Sequence, residues 1–172
     1  MRSVADPRWT ALPLDSFDNL PLGSFCYRED PTPWRSSDYL NYWLRSPTVK
    51  ISAFAIRKVK ESLGYFLLSR VGGQTRIADL RLHSTNQDDW NLAYSLAEQV
   101  AAEDPETCEI VAVASTLFAE LALRTSGFRQ HGSAPLFLYD PKKRLRDSPP
   151  IYWNLIDGDA AYISDPEHPY TT

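Results

Sequence analysis

Cysteine and histidine are scarce in this chain: two of the first and three of the second among 172 residues. Cys26 and Cys108 stand far apart, with no partners at metal-ligand spacing, so a disulfide framework and a zinc site both lack their raw material. Both thiols are expected to be reduced, and Cys108, bordering an apolar run, to be structural. His131 and His168 have no Ser, Cys or carboxylate at a useful spacing, which leaves a hydrolase triad without members, and His83, in a loop just past a strand, reads as a helix-entry residue before it reads as a base or phosphate neighbour. No apolar run approaches the ~20 residues that span a bilayer, and the opening Met1-Arg2-Ser3-Val4-Ala5-Asp6-Pro7 has no signal-peptide core. A cytoplasmic location is the expectation. The 18 Lys plus Arg against 22 Asp plus Glu are dispersed, so a general affinity for nucleic acid or an anionic membrane is not expected. The one basic cluster, Lys142, Lys143, Arg144 and Arg146, is short and reads as a solvated loop.

What the chain does have is enough apolar content, 43%, to fill one sizeable core, so residues 1–172 are expected to form a single domain. Six of the 13 prolines fall before position 48, and residues 1–47 are expected to be an irregular lead-in containing one short helix. That helix starts at the cap signal Ser36-Ser37-Asp38 and ends at Leu44, before Pro47. Residues 48–160 then form the core. Alternating apolar positions predict strands at Val49 to Arg57, Leu63 to Val71 and Thr75 to Leu82, joined by a charged turn at Lys58 to Ser62 and by Gly72-Gly73. Together they make an antiparallel three-strand meander.

After Ser84-Thr85-Asn86 the period becomes helical through Trp90, Ala93, Tyr94, Ala97, Val100 and Ala101, ending near Glu103. Glu109 to Ser115 reads as a strand buried on both faces and parallel to the strand ending at Leu82. A helix from Thr116 to Ser126 is expected to bury Leu117, Phe118, Leu121 and Leu123, with Gly127 past its end. Ala134 to Tyr139 is a further strand, Ile151 to Ile156 a last apolar segment, and residues 164–172 a flexible tail. The fold class is therefore α/β with a mixed (α+β-type) sheet, a meander followed by β-α-β-α-β.

This order of elements over roughly residues 37–159 resembles the GNAT superfamily of acyl-CoA N-acyltransferases. The closest local match is Leu121-Ala122-Leu123-Arg124-Thr125-Ser126-Gly127-Phe128-Arg129, where family members carry a helix ending in Gly-Phe; Trp153 to Asp159 is similar to the end of GNAT-type proteins associated with polysaccharide synthesis. The resemblance implies an N-acyltransferase, probing acetyl-CoA or another acyl-CoA as co-substrate and a small amine or amino sugar as acceptor. It implies a cleft where two parallel strands splay, with the pyrophosphate on free amides of Ser84, Thr85, Asn86 and Gln87. It also implies Asp79 as the base that takes the amine's proton, while the strand pattern alone allows Asp79 to face solvent or to pair with Arg76 or Arg81.

Two family features are missing. No glycine stands between Arg81 and Trp90, where the pyrophosphate loop has them, and Leu123 occupies the position of a tyrosine that acts as general acid. These departures favour the rival reading, a GNAT-like binding or partner module without catalysis. The aromatic residues of the lead-in, Trp9, Phe17, Phe25, Tyr27, Trp34, Tyr39, Tyr42 and Trp43, either wall an acceptor site or seal the edge of the core.

Overall fold

A strand that the proline count argued against opens the sheet. The computed structural model describes residues 6–24, 33–133, 139, 141–143 and 151–163. Strand β1 (Trp9–Leu14) pairs antiparallel with β2 (Lys50–Lys58), and Pro13 lies opposite Phe54. Proline is excluded from the middle of a sheet because it has no N–H to donate, but a strand with only one neighbour has a side that needs no donor. The lead-in is thus part of the sheet. Downstream, Phe17 is fully buried against Tyr65, ring centroids 5.1 Å apart, and its N–H donates to Asn41 Oδ1 at 2.8 Å, which ties the segment after β1 to helix α1 (Ser37–Leu44). Ser36 caps α1, accepting from the Tyr39 N–H at 3.1 Å.

The expected meander is present: β2, β3 (Glu61–Val71) and β4 (Gln74–Leu82) pair antiparallel in succession. Gly72 and Gly73 both take positive φ, as a two-residue hairpin of the primed type requires. The preceding turn is tighter than the sequence indicates, since β2 runs to Lys58 and β3 begins at Glu61. Helix α2 (Gln87–Ala102) follows, then β5 (Glu109–Ala112), which lies parallel to β4, completing the order β1-β2-β3-β4-β5. Among the described residues the chain is therefore a mixed α/β structure with a five-strand mixed sheet and three α-helices.

Three expectations need correction beyond β1. Strand β5 is short and half-buried rather than buried on both faces, because it is an edge of the sheet among the described residues and stops at Ala112, short of Ser115. Helix α3 (Leu117–Thr125) buries Ala119, Ala122 and Leu123, whereas Leu117, at 68% exposure, and the partly exposed Phe118 and Leu121 face outward. Small residues are the ones inside because α3 packs on α2, whose Ala93, Ala97 and Ala101 are fully buried in the same cluster; alanines on both helices let the backbones approach. Cys108 is exposed. Cys26, His168, Arg144, Arg146, residues 164–172 and, except for Tyr139, the expected strand at Ala134 to Tyr139 lie outside the described residues.

Two apolar clusters cover the two faces of the sheet. One joins Phe66, Leu68, Ile77, Leu80 and Leu82 to α2 and α3; the other joins Tyr65, Leu67 and Ala78 to Phe17 and Leu40 of the α1 side. Register slips once between β3 and β4: Leu67 pairs with Asp79 and Leu68 with Ile77, so Ala78 is an extra residue. This bulge changes the strand's phase. In a regular strand positions 77 and 79 share a face, but here Ile77 faces α2 while Ala78 and Asp79 both face the α1 side.

Gly64 is the tightest point of the sheet. A Cβ there would stand 2.0 Å from the backbone oxygen of Arg81 on β4, an atom that cannot swing aside. Gly64→Ala is expected to destabilise the protein by roughly 3 kcal/mol, lowering the thermal midpoint by roughly 6–12 °C. A midpoint within about 2 °C of wild type, measured by calorimetry, would refute the close approach of β3 and β4.

Candidate functional site

The bulge delivers Asp79 into a fully buried polar cluster. Arg35, the residue before the α1 cap, donates from Nε to Asp79 Oδ2 at 2.8 Å and from Nη2 to Oδ1 at 3.4 Å. The Tyr65 hydroxyl donates to Oδ2 at 2.9 Å, and Asn154 Nδ2 to Oδ1 at 2.7 Å. Arg81 Nε lies 3.5 Å from Oδ1, its guanidinium stacked 4.5 Å above the Tyr152 ring. Arg35 also reaches Asp157 Oδ1 at 2.6 Å, and Asp157 Oδ2 in turn accepts the Asn154 N–H at 2.8 Å. Two arginines and two aspartates thus balance in charge.

Each contact has an electrostatic consequence. Burial works against the Arg35 charge, but the Asp79 carboxylate outweighs it and holds the guanidinium firmly protonated. Burial, seconded by Asp79, pushes the Tyr65 phenol well above its usual range, and burial, opposed by the Arg81 charge and aided by Asp79, takes Tyr152 up to about 12. Both phenols are therefore donors at neutral pH. For Asp157 burial is again the leading cause and raises its pKa; the Arg35 charge pulls the other way without cancelling it, because that charge is shared with Asp79.

Of the options left open by the strand pattern, Asp79 takes the pairing with Arg81. It does not face solvent, and Arg76 is elsewhere, donating to the backbone oxygens of Ala160 and Ile163. The Arg81 pairing does occur, but the principal partner, Arg35, lies 44 residues away. With 0% exposure and both oxygens accepting charge-assisted or hydroxyl hydrogen bonds, Asp79 presents no open lone pair to an incoming amine, which is what a general base must do. Its geometry is that of an anchor.

The four residues expected at a phosphate site are largely spent on capping α2. Asn86 Oδ1 accepts the Asp88 N–H at 3.0 Å, Ser84 Oγ accepts the Asn86 N–H at 3.1 Å and donates to Asp89 Oδ2 at 2.7 Å, and Gln87 Nε2 donates to Asn91 and to the Phe118 carbonyl, both at 3.0 Å. Thr85 and His83 are exposed, and the His83 N–H closes the sheet on the Leu63 carbonyl. Asp88 and Asp89 fill the first turn, favourable for the helix dipole and unfavourable for a second anion; Lys58 meets Asp89 at 3.2 Å.

Beside this cluster the sheet divides. β4 and β5 pair only from Gln74 with Glu109 to Ile77 with Ala112, where β5 ends, while β4 continues past the bulge to Leu82. Residues 152–154 bridge the gap: the Tyr152 hydroxyl donates to the Leu80 carbonyl and Asn154 binds Asp79 on the β4 side, while on the other side Ser115 Oγ accepts the Trp153 N–H at 2.7 Å and donates to its carbonyl at 2.8 Å. Arg35, Tyr65, Tyr152, Asn154 and Asp157 were not legible as site residues. One signal did exist, since the Asn154-x-x-Asp157 spacing is that of a capping box.

Removing Arg35 would strand two buried carboxylates. Arg35→Met is expected to lose about 3–5 kcal/mol in denaturant unfolding. A loss under about 1 kcal/mol would refute the anchoring role. Asp157 supplies a pH test. Its folded pKa lies above the unfolded value, so on acidification the folded state takes the proton first and gains stability as pH falls through the folded pKa. The stability of wild type relative to Asp157→Asn is therefore expected to rise as the pH falls from neutral toward the ordinary aspartate value of 3.8, and a constant or falling difference would contradict the shift.

Set against models of known protein families, curated proteins and solved structures, the chain has no match in any of the three, so its function is argued from the site alone.

Proposed function

We propose that this chain is an acyl-CoA-dependent N-acyltransferase of GNAT-like type, taking acetyl-CoA or a related acyl-CoA as donor and a small amine or amino sugar as acceptor. The observation that carries this reading is the parting of two parallel strands, β4 and β5, after Ile77 and Ala112, immediately beside a bulge. Strands that part leave backbone groups without sheet partners, and a ligand rich in amides can use them. The presence of β1 and α1 ahead of the meander supports the same reading, since β1 joins the expected helix α1 in a front end to the core that the sequence pattern reveals only in part.

In this reading Asp79 has a supporting role. It fixes the floor of the wedge through Arg35, Tyr65 and Asn154. Tyr152, with its hydroxyl on the Leu80 carbonyl and its ring under Arg81, is a protonated phenol beside the end of the β4–β5 pairing. It is a donor rather than a base at neutral pH.

A second reading, a GNAT-like binding or partner module without catalysis, is favoured by one specific arrangement. The wedge is spanned by the protein's own residues 152–154, and the start of α2 carries Asp88 and Asp89 where a pyrophosphate would need positive potential.

A ligand that binds only the folded state raises its melting temperature. With acetyl-CoA at one hundred times its Kd the gain is about 2.7 kcal/mol, an upward shift of roughly 5–10 °C. No shift with millimolar acetyl-CoA or a longer acyl-CoA would overturn the donor assignment. A shift without thiol release, when a panel of amino sugars and small amines is added, would favour the non-catalytic module.

A further inference from the structure

The segment that spans the wedge crosses the sheet. Tyr152 belongs to the apolar cluster on the α2 and α3 face, whereas Leu155 and Ile156, three and four residues on, belong to the cluster on the α1 face. A chain can pass from one face to the other only where two strands are not paired, and the gap beyond Ile77 and Ala112 is such a place.

How the segment is held differs from how a strand is held. Among the described residues, the backbone-to-backbone hydrogen bonds of 152–157 are local, such as Asp157 N–H to the Asn154 carbonyl, and none runs to β4 or β5. Every hydrogen bond to the sheet and to α1 uses a side chain: Tyr152 to Leu80, Ser115 to Trp153, Asn154 to Asp79 and Tyr39 to Ile156. Arg35 adds the latch, one guanidinium gripping Asp79 of the sheet and Asp157 of the segment together. Releasing such a segment breaks no strand ladder. The β2, β3 and β4 pairings, which hold the centre of the sheet, share none of these bonds.

We propose that residues Tyr152–Asp157 are a strap that closes the wedge between β4 and β5 and opens as a unit while the sheet stays folded. Opening bares the β4 groups from Asp79 to Leu80 and the Ser115 hydroxyl together, so access to the wedge is set by the strap. The inference holds whether the wedge receives an acyl donor or another ligand, because it concerns only which bonds break in concert.

Native-state hydrogen exchange on the intact protein tests it, with the Trp153 and Asn154 amides reporting on the strap and those of Phe66 and Leu67 on the sheet. Local opening predicts that the strap amides exchange at least about ten-fold faster than the sheet amides in wild type. Ser115→Ala, which removes the clasp on Trp153, is expected to speed strap exchange by a further factor of about ten and to change Phe66 and Leu67 by less than about two-fold. Equal protection of strap and sheet in wild type, or a variant that accelerates both alike, would overturn the proposal, since the strap would then open only by unfolding.

Discussion

A carboxylate with no access to water, set in the middle of a sheet, must be matched by charge and hydrogen bonds or the fold would not tolerate it. Asp79 is matched by donors drawn from three distant parts of the chain. Arg35 comes from 44 residues before it, Asn154 from 75 residues after it, and Tyr65 from the neighbouring strand. The cluster is complete only when all three arrive, so one carboxylate is the common contact of lead-in, sheet and C-terminal segment.

The Ala78 bulge makes this possible. With regular pleating, Asp79 would share the face of Ile77 and enter the apolar cluster beneath α2. One added residue turns it to the other side, where Arg35 waits. The same irregularity adjoins the point where β5 leaves β4, so the sheet's opening and its charged cluster share a location. A bulge increases local twist, and a strand leaving a more twisted neighbour loses register with it. The gap is then spanned by side-chain contacts rather than by a ladder.

The helices on the opposite face show a different constraint. Alanines at the α2 and α3 contact bring the two backbones close, and Trp90 of α2 stacks on Phe118 of α3 at 5.9 Å while also meeting Tyr152 edge-on at 5.9 Å. This aromatic junction links the helix pair to the strap. It leaves Leu117 and Leu121 on the outside, a face that hydrophobicity alone would have placed within.

Short-range patterns in the sequence were sufficient for the meander, both long helical stretches, the Ser36 cap of α1 and the parallel pairing of β4 with β5, because alternation, helical period and turn chemistry act between near neighbours. They misjudged β1, since composition cannot tell an edge strand, where proline is harmless, from a loop. Asp79 drew attention through the resemblance and not through pattern, and neither indicated its surroundings. Which face Asp79 occupies depends on a one-residue slip against β3, and what it meets there depends on Arg35 and Asn154 arriving from far along the chain. Those are long-range facts. Only the tertiary structure decided that this strand carboxylate is enclosed by Arg35, Tyr65 and Asn154 and does not face solvent, because pairing across such distances is fixed by packing and not by local preference.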